Sequence, residues 1–339
     1  MAGLYPSTLH VNGNGVETFP ANVPIVSKLF VDAGYTCGLI GKLHLNAAGK
    51  GVETRVDDGY STWAYSHTPH WRMDDPEHDY ASWVKSKGFD LPTIAADPES
   101  VPESLHQTTW CGELTEQFIR DNQDRPWYVN VNMFYPHPPF NPPREWIDRY
   151  DPDTMPGPAF ETQDLETQKY LDLIPYQREA RHPDDLAIGH REGQTEGHLG
   201  GRTDGRAVQA YYYALVSHID AWVGRLIDTL EETGQRDNTV IVFTSDHGEM
   251  LGDHGLIYKG CRFYEGAVRV PLIWNGPGLR EQNLVANGLV ELLDVAPTLL
   301  DLAGIDIPDY MQGQSLAPVL DGRIGPDEIR PFVRTAFMT

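Results

Sequence analysis

Basic residues are scarce in this chain. Against 49 Asp and Glu stand only 26 Lys and Arg, a formal net charge of −23 over 339 residues. A field of that sign repels nucleic acid and anionic membranes and argues against both as partners, although a small cationic pocket can sit inside an acidic surface. Long apolar runs are also missing. No stretch approaches the roughly eighteen apolar residues that a membrane span needs. Met1 is followed by Ala2, Gly3, Leu4, Tyr5 and Pro6, with none of the basic stretch and apolar core of a secretory leader. Cysteine is rare: Cys37, Cys111 and Cys261 are widely spaced and form no C-x-x-C pair, which gives no zinc or redox motif and leaves core or half-buried thiols as the plain reading. Internal repeats are absent as well.

The 40% hydrophobic content is enough for a sizeable core. Strand-like and helix-like runs alternate over most of the length, the pattern of an α/β domain with a largely parallel sheet. Ile25, Val26, Leu29, Phe30 and Ala33 follow Pro24 at helical spacing until Gly34 stops the run, and Tyr35 to Ile40 read as a strand. Glu113 to Asp121 read as a helix before the strand beginning at Trp127. The longest helix runs from Ala207 to Gly234, with Tyr212, Leu215, Val216, Ile219, Trp222, Val223, Leu226, Ile227 and Leu230 on the face expected to pack on the sheet. Strands follow at Thr239 to Thr244 and Val270 to Trp274, then a helix from about Leu292 to Ala303 with Pro297 in its first half. Residues 51–110 and 136–206 break this rhythm and read as long functional loops.

Three predicted strands end in similar chemistry. "TCGLIGKLHL" finishes with Lys42 and His44, "WYVNVNMFYPHPPF" with His137, and "NTVIVFTSDHG" with Asp246 and His247, after which a glycine-rich turn leads to Lys259. The carboxyl ends of parallel strands share one crevice, so these residues are expected to meet. An acid beside a nitrogen donor suits a divalent cation, and Lys and His around it suit a tetrahedral anion and can handle a proton. Taken singly, each residue has a plainer role: a histidine after a strand is usually a surface or hydrogen-bonded residue, a lysine faces solvent, and Asp246 could cap a helix. The second Asp-His-Gly, Asp253 to Gly255, follows no strand and reads as turn structure. His67, His70 and His78 with Trp63, Trp71 and Tyr80 read either as a substrate pocket or as solvated loop residues, and His182, His190 and His198 take no role.

"GYTCGLIGKLHL" resembles the second signature of the sulfatase family, G-Y-x-T-x-x-x-G-K-x-H, with Cys37 at the threonine position. "NTVIVFTSDHGEMLGDHGLIYKGCRFYEGAVRVPLIW" is similar to that family's metal-binding strand and lysine loop. "YPHPPF", "YYYALVSHIDAWVGRLIDTLEETG" and "VELLDVAPTLLDLAGIDIPDYMQGQSL" look like the same family in the same order. The resemblance implies an alkaline-phosphatase-like α/β sandwich, a mostly parallel central sheet with helices on both faces, with residues 1–339 as one catalytic domain. It implies Asp246 and His247 as metal ligands, Lys42 and Lys259 as cations on the sulfate oxygens, and His44 and His137 as groups near the nucleophile or leaving oxygen. The metal implied is calcium, with manganese as the alternative, since His247 stands where many members have Asn. The substrate implied is a small-molecule or saccharide sulfate ester.

The chain departs from the family at the nucleophile. Members carry C-x-P-x-R or S-x-P-x-R, whose Cys or Ser becomes formylglycine, preceded by a strand with paired acidic ligands. Here Cys37 is followed by G-L-I-G, Cys111 by G-E-L-T and Cys261 by R-F-Y-E. The opening "MAGLYPSTLH" looks like the segment directly after that motif, so the expectation is an inactive fragment lacking the first strand and a C-terminal subdomain. Two rival readings stand beside it: a phosphate or phosphonate ester hydrolase of the same superfamily, and a non-catalytic protein that binds metal and anions.

Overall fold

The computed structural model describes residues 1–11, 18–45, 55–67, 78–90, 101–168, 205–256, 259, 263–280 and 283–335. Strands β1 (Thr36–Gly41), β2 (Thr62–Tyr65) and β3 (Trp127–Asn132) form a parallel sheet in the order β2-β1-β3. The main helices are α1 (Val26–Asp32), α2 (Asp79–Ser86), α3 (Gln107–Asp121), α4 (Gly205–Glu232) and α5 (Val295–Leu302). Side chains alternate across a strand, so β1 feeds two cores. Cys37 and Leu39 join Phe30 of α1 and Leu300 of α5 on one face. Ile40 joins Tyr80 and Val84 of α2 and Trp110 and Phe118 of α3 on the other. This double cover makes β1 a nearly continuous apolar run, and it is the expected sandwich with helices on both faces.

Several boundaries differ from the sequence reading, each for a local reason. Helix α3 begins at Gln107, six positions before Glu113, because the His106 ring caps it: Nδ1 accepts from the Thr108 N–H at 3.3 Å. Pro24 lies before α1 rather than in its first turn. The stretch 51–110, read as loop, contains β2, α2 and the first turn of α3. Helix α4 packs mainly along α3, tied by Arg120–Glu232 at 2.6 Å and Arg225–Glu116 at 3.2 Å. Its buried stripe includes Tyr211, Leu215, His218, Trp222 and Leu230, whereas Val216 is exposed.

The largest correction concerns β4 (Ile241–Thr244). It pairs antiparallel with β5 (Leu272–Asn275), Val242 opposite Trp274, and among the described residues it does not extend the β2-β1-β3 sheet. Nor is it a buried strand, since three of its residues are half-buried and Thr244 is exposed.

One close approach sets the site's position. The Lys42 N–H donates to the Asn132 carbonyl at 2.7 Å, carrying the β1–β3 ladder one residue past Gly41. Gly41 has φ +107°, and a Cβ there would lie 2.1 Å from the same carbonyl oxygen. Only glycine fits such a conformation at such a distance. Gly41→Ala is therefore expected to destabilise the fold by roughly 2–4 kcal/mol, read as a lowered denaturation midpoint. A midpoint equal to that of the parent chain would refute the ladder's dependence on this glycine.

Candidate active site at the strand ends

Lys42 follows β1, His137 lies five residues past β3, and Asp246 and His247 lie just beyond β4. Their charges act on one another. The field on the His137 ring comes from Lys259, Lys42 and His247, and that on Lys259 from Glu249, Lys42 and Asp246. The structure thus gathers Lys42, His137, Asp246, His247 and Lys259 in one cluster. His44 stands one step aside, its ring edge-on to His67 at 4.9 Å between centroids, and His67 in turn feels Lys42.

The Asp-His-Gly turn is built by a backbone contact. The Gly248 N–H donates to Ala267 O at 2.8 Å and the Glu249 N–H to Gly266 O at 3.0 Å. A Cβ on Gly248 would fall 1.9 Å from Gly266 O, so the motif's glycine is required by this crossing. His137 sits in a proline-rich loop, and the Lys42 ammonium lies 5.3 Å from the Phe134 ring centroid, a cation–π distance.

Both site imidazoles have an assignable tautomer. His137 Nδ1 lies 2.6 Å from Pro138 O and His247 Nδ1 2.8 Å from Gly248 O. A carbonyl only accepts, so each Nδ1 carries the hydrogen and each neutral ring keeps its lone pair on Nε2. Burial, then the Lys259 and Lys42 charges, push the His137 pKa down to about 2. Burial also lowers His247. Burial brings Lys259 down to about 8, with Glu249 working against it and Lys42 with it.

A divalent cation has a partial fit. His247 Nε2 lies 3.5 Å from Asp246 Oδ2, so two electron-pair donors face each other, an arrangement that a cation or a proton between them would relieve. Asp246 is 77% exposed and accessible to an ion. Among the described residues no third His, Cys, Asp or Glu joins them, so the pair would hold one edge of an ion, with oxygen ligands still needed from elsewhere.

Other candidates separate by burial. Tyr80 is a core residue whose hydroxyl donates to Leu105 O at 2.7 Å, and half-buried Trp63 lies between Tyr65 and Arg55. His78 caps α2. Asp253 and His254 do form a turn, which fastens a neighbouring segment through Ala159 N at 2.8 Å and Asp164 at 3.1 Å. Cys37 and Cys111 are buried free thiols. His70, Trp71, His182, His190, His198 and Cys261 lie outside the described residues. The sequence reading missed Glu249, Tyr212 and Phe134. Glu249 had a weak signal, two positions after His247. Tyr212 had none, since its helical spacing marks it as core; burial, then the Glu249 and Asp246 charges, raise its pKa.

The sulfatase family model matches residues 1–305. The chain belongs to the sulfatase family. It is 30% identical to an arylsulfatase of Clostridium perfringens, over 88% of this chain and 62% of that protein. It is 32% identical to a choline-sulfatase of Rhizobium meliloti, over 95% of this chain and 61% of that one. The chain thus spans about three-fifths of these relatives. It superposes on the phosphonate monoester hydrolase of Agrobacterium radiobacter with a TM-score of 0.75 at 25% identity, covering 98% of this chain and 67% of that one. No described helix of this sulfatase-family chain is long and apolar enough to cross a membrane.

The two lowered pKa values act with the same sign in different pH windows: each makes stability rise with pH. Lys259 is charged with difficulty in the folded state, so between about 8 and its ordinary 10.5 the unfolded chain binds more protons and stability rises with pH. Over the same interval the ammonium is lost and affinity for inorganic sulfate should fall. His137 resists protonation down to about 2, so stability should be lost as pH drops below its ordinary 6.5. Denaturation midpoints and sulfate titrations across pH 5–10 check both. Sulfate affinity that stays flat above pH 8 would remove Lys259 from the anion site.

Proposed function

We propose that this chain carries the oxyanion-binding half of a sulfuric ester hydrolase acting on a small-molecule or saccharide sulfate monoester. One observation carries the reading: Lys42 and Lys259 share a half-buried cluster with two neutral imidazoles, beside the Asp246–His247 pair. Two ammonium groups in a partly dehydrated pocket match the negative oxygens of a tetrahedral ester and gain most where charge builds in the transition state.

In this reading Lys42 and Lys259 bind the nonbridging oxygens. Lys259, brought near neutrality, is the group that can give a proton to the departing alcohol oxygen and be recharged from water. His137 holds its hydrogen on Nδ1 and offers only a lone pair at Nε2, so it accepts a hydrogen bond and orients the ester or its attacking group. His44, farther out against His67, borders the leaving-group side. Asp246 and His247 would hold a divalent cation, calcium or manganese, which supplies further neutralisation of the ester's charge when bound. The family's formylglycine would supply the attacking oxygen. No C/S-x-P-x-R motif occurs in residues 1–339, so these residues alone are expected to bind sulfate without turnover.

Superposition on a phosphonate monoester hydrolase favours a second reading, a phosphonate or phosphate ester as substrate. The discriminating experiment compares kcat/KM of the natural protein that carries these residues on aryl sulfate and aryl phosphonate esters. The sulfatase reading expects aryl sulfate to win, with Lys42→Ala and Lys259→Ala each lowering kcat/KM by about 10²–10³-fold. Preference for the phosphonate ester installs the second reading. Turnover indifferent to both lysines overturns the first.

A further inference from the structure

The loop that carries His137 is gripped at both ends by the start of α3. At one end the buried Gln107 Oε1 accepts from the Phe134 N–H at 3.0 Å. At the other, His106 Nε2 lies 3.1 Å from Asn141 O. These contacts fix the His106 proton. Its Nδ1 already accepts from the Thr108 N–H, so Nε2 must be the donor, and one neutral tautomer satisfies both bonds. The same ring stacks on Tyr135 at 4.4 Å between centroids.

Between the two grips the loop is held by the packing of buried Tyr135 and Phe140 more than by backbone hydrogen bonds. Pro136, Pro138 and Pro139 have no N–H. The His137 N–H makes a turn bond back to Phe134 O at 3.2 Å. Phe134 therefore anchors the loop, and its ring also touches the chemistry, 4.7 Å from the His137 ring and 5.3 Å from the Lys42 ammonium. The Gln107 amide is used on one side only, since its Nε2 has no hydrogen-bond partner among the described residues.

We propose that Gln107, with His106, is a positioning residue of the anion site: its carbonyl fixes Phe134, and Phe134 fixes His137 and the Lys42 ammonium. This deepens the hydrolase reading and rests on it for the identity of the anion. Neither residue touches the substrate. The placement arises because α3 packs against the sheet through Trp110, Cys111 and Phe118, which leaves its first residues facing the β3 loop.

The test uses the chain with inorganic sulfate as probe, and NMR of the His137 ring nitrogens as a readout independent of anion binding. Gln107→Met keeps the volume and removes the acceptor, whereas Gln107→Glu keeps an acceptor oxygen. Thr115→Val, which removes a buried hydroxyl bond to Cys111 O farther along α3, is the control for general destabilisation. Gln107→Met should weaken sulfate binding on the order of tenfold, the usual scale for loss of a supporting hydrogen bond. It should also release His137 from its single Nδ1–H tautomer. Gln107→Glu should restore both, and Thr115→Val should change neither. A His137 tautomer unaltered by Gln107→Met overturns the proposal, as does equal weakening by Thr115→Val. If the parent chain binds no sulfate, the hydrolase reading fails, and the His137 signals still decide the clamp.

Discussion

Two ammonium groups in one partly dehydrated pocket are the constraint around which the site is organised. Lys42 and Lys259 each lose water and each opposes the other's charge, and the fall of Lys259 to about 8 is the visible result. A flexible pair would separate into solvent, so the fold has to hold them. Lys42 is held by the ladder bond to Asn132 one residue past Gly41, and its charge lies over the Phe134 ring. Lys259 is held within the field of the buried Glu249, the counter-charge nearest to it in effect. Both devices steady a cation at the strand ends, where the proposed anion site needs it.

The same logic explains the uncharged histidines. A third and fourth positive charge would add repulsion, and burial of the rings, helped by the lysine charges, keeps them neutral although each Nδ1–H bond to the next residue's carbonyl favours the charged form. A neutral imidazole adds polarity and a lone pair at little electrostatic cost. His137 thus contributes shape and acceptor capacity where the sequence reading expects a group that handles a proton, and His247 keeps the lone pair that the reading of it as a metal ligand needs.

Legibility from sequence followed the physics of each feature. The parallel sheet with helices on both faces was readable because β1 must be apolar on both sides, and Cys37, Leu39 and Ile40 are. The clustered site residues were readable because strand ends concentrate backbone polarity and side chains at one edge. Helix α3's true start was not, since a histidine cap and a buried glutamine look like loop residues in a string. His218 on the buried stripe of α4 was hidden for the same reason: its burial depends on Thr109 at 3.3 Å and a stacked Trp146, contacts from distant parts of the chain. The separation of β4 and β5 from the parallel sheet was illegible because an apolar strand carries no mark of its neighbour.

The overall acidity and the local cations fit together once distance is considered. A net charge of −23 is spread over the surface, and salt screens its repulsion of an anion beyond about 8–10 Å. The lysine pair acts at contact in a half-buried pocket, where screening is weak and the effective dielectric is lower than in water. The long-range field therefore slows the approach of any anion, and only one that reaches both lysines at once recovers the loss. A tetrahedral oxyanion, whose charge is shared over oxygens pointing in different directions, can do so, whereas a carboxylate presents its charge in one plane. On the proposed reading, the unequal reach of the two fields favours compact tetrahedral anions that touch both lysines at once.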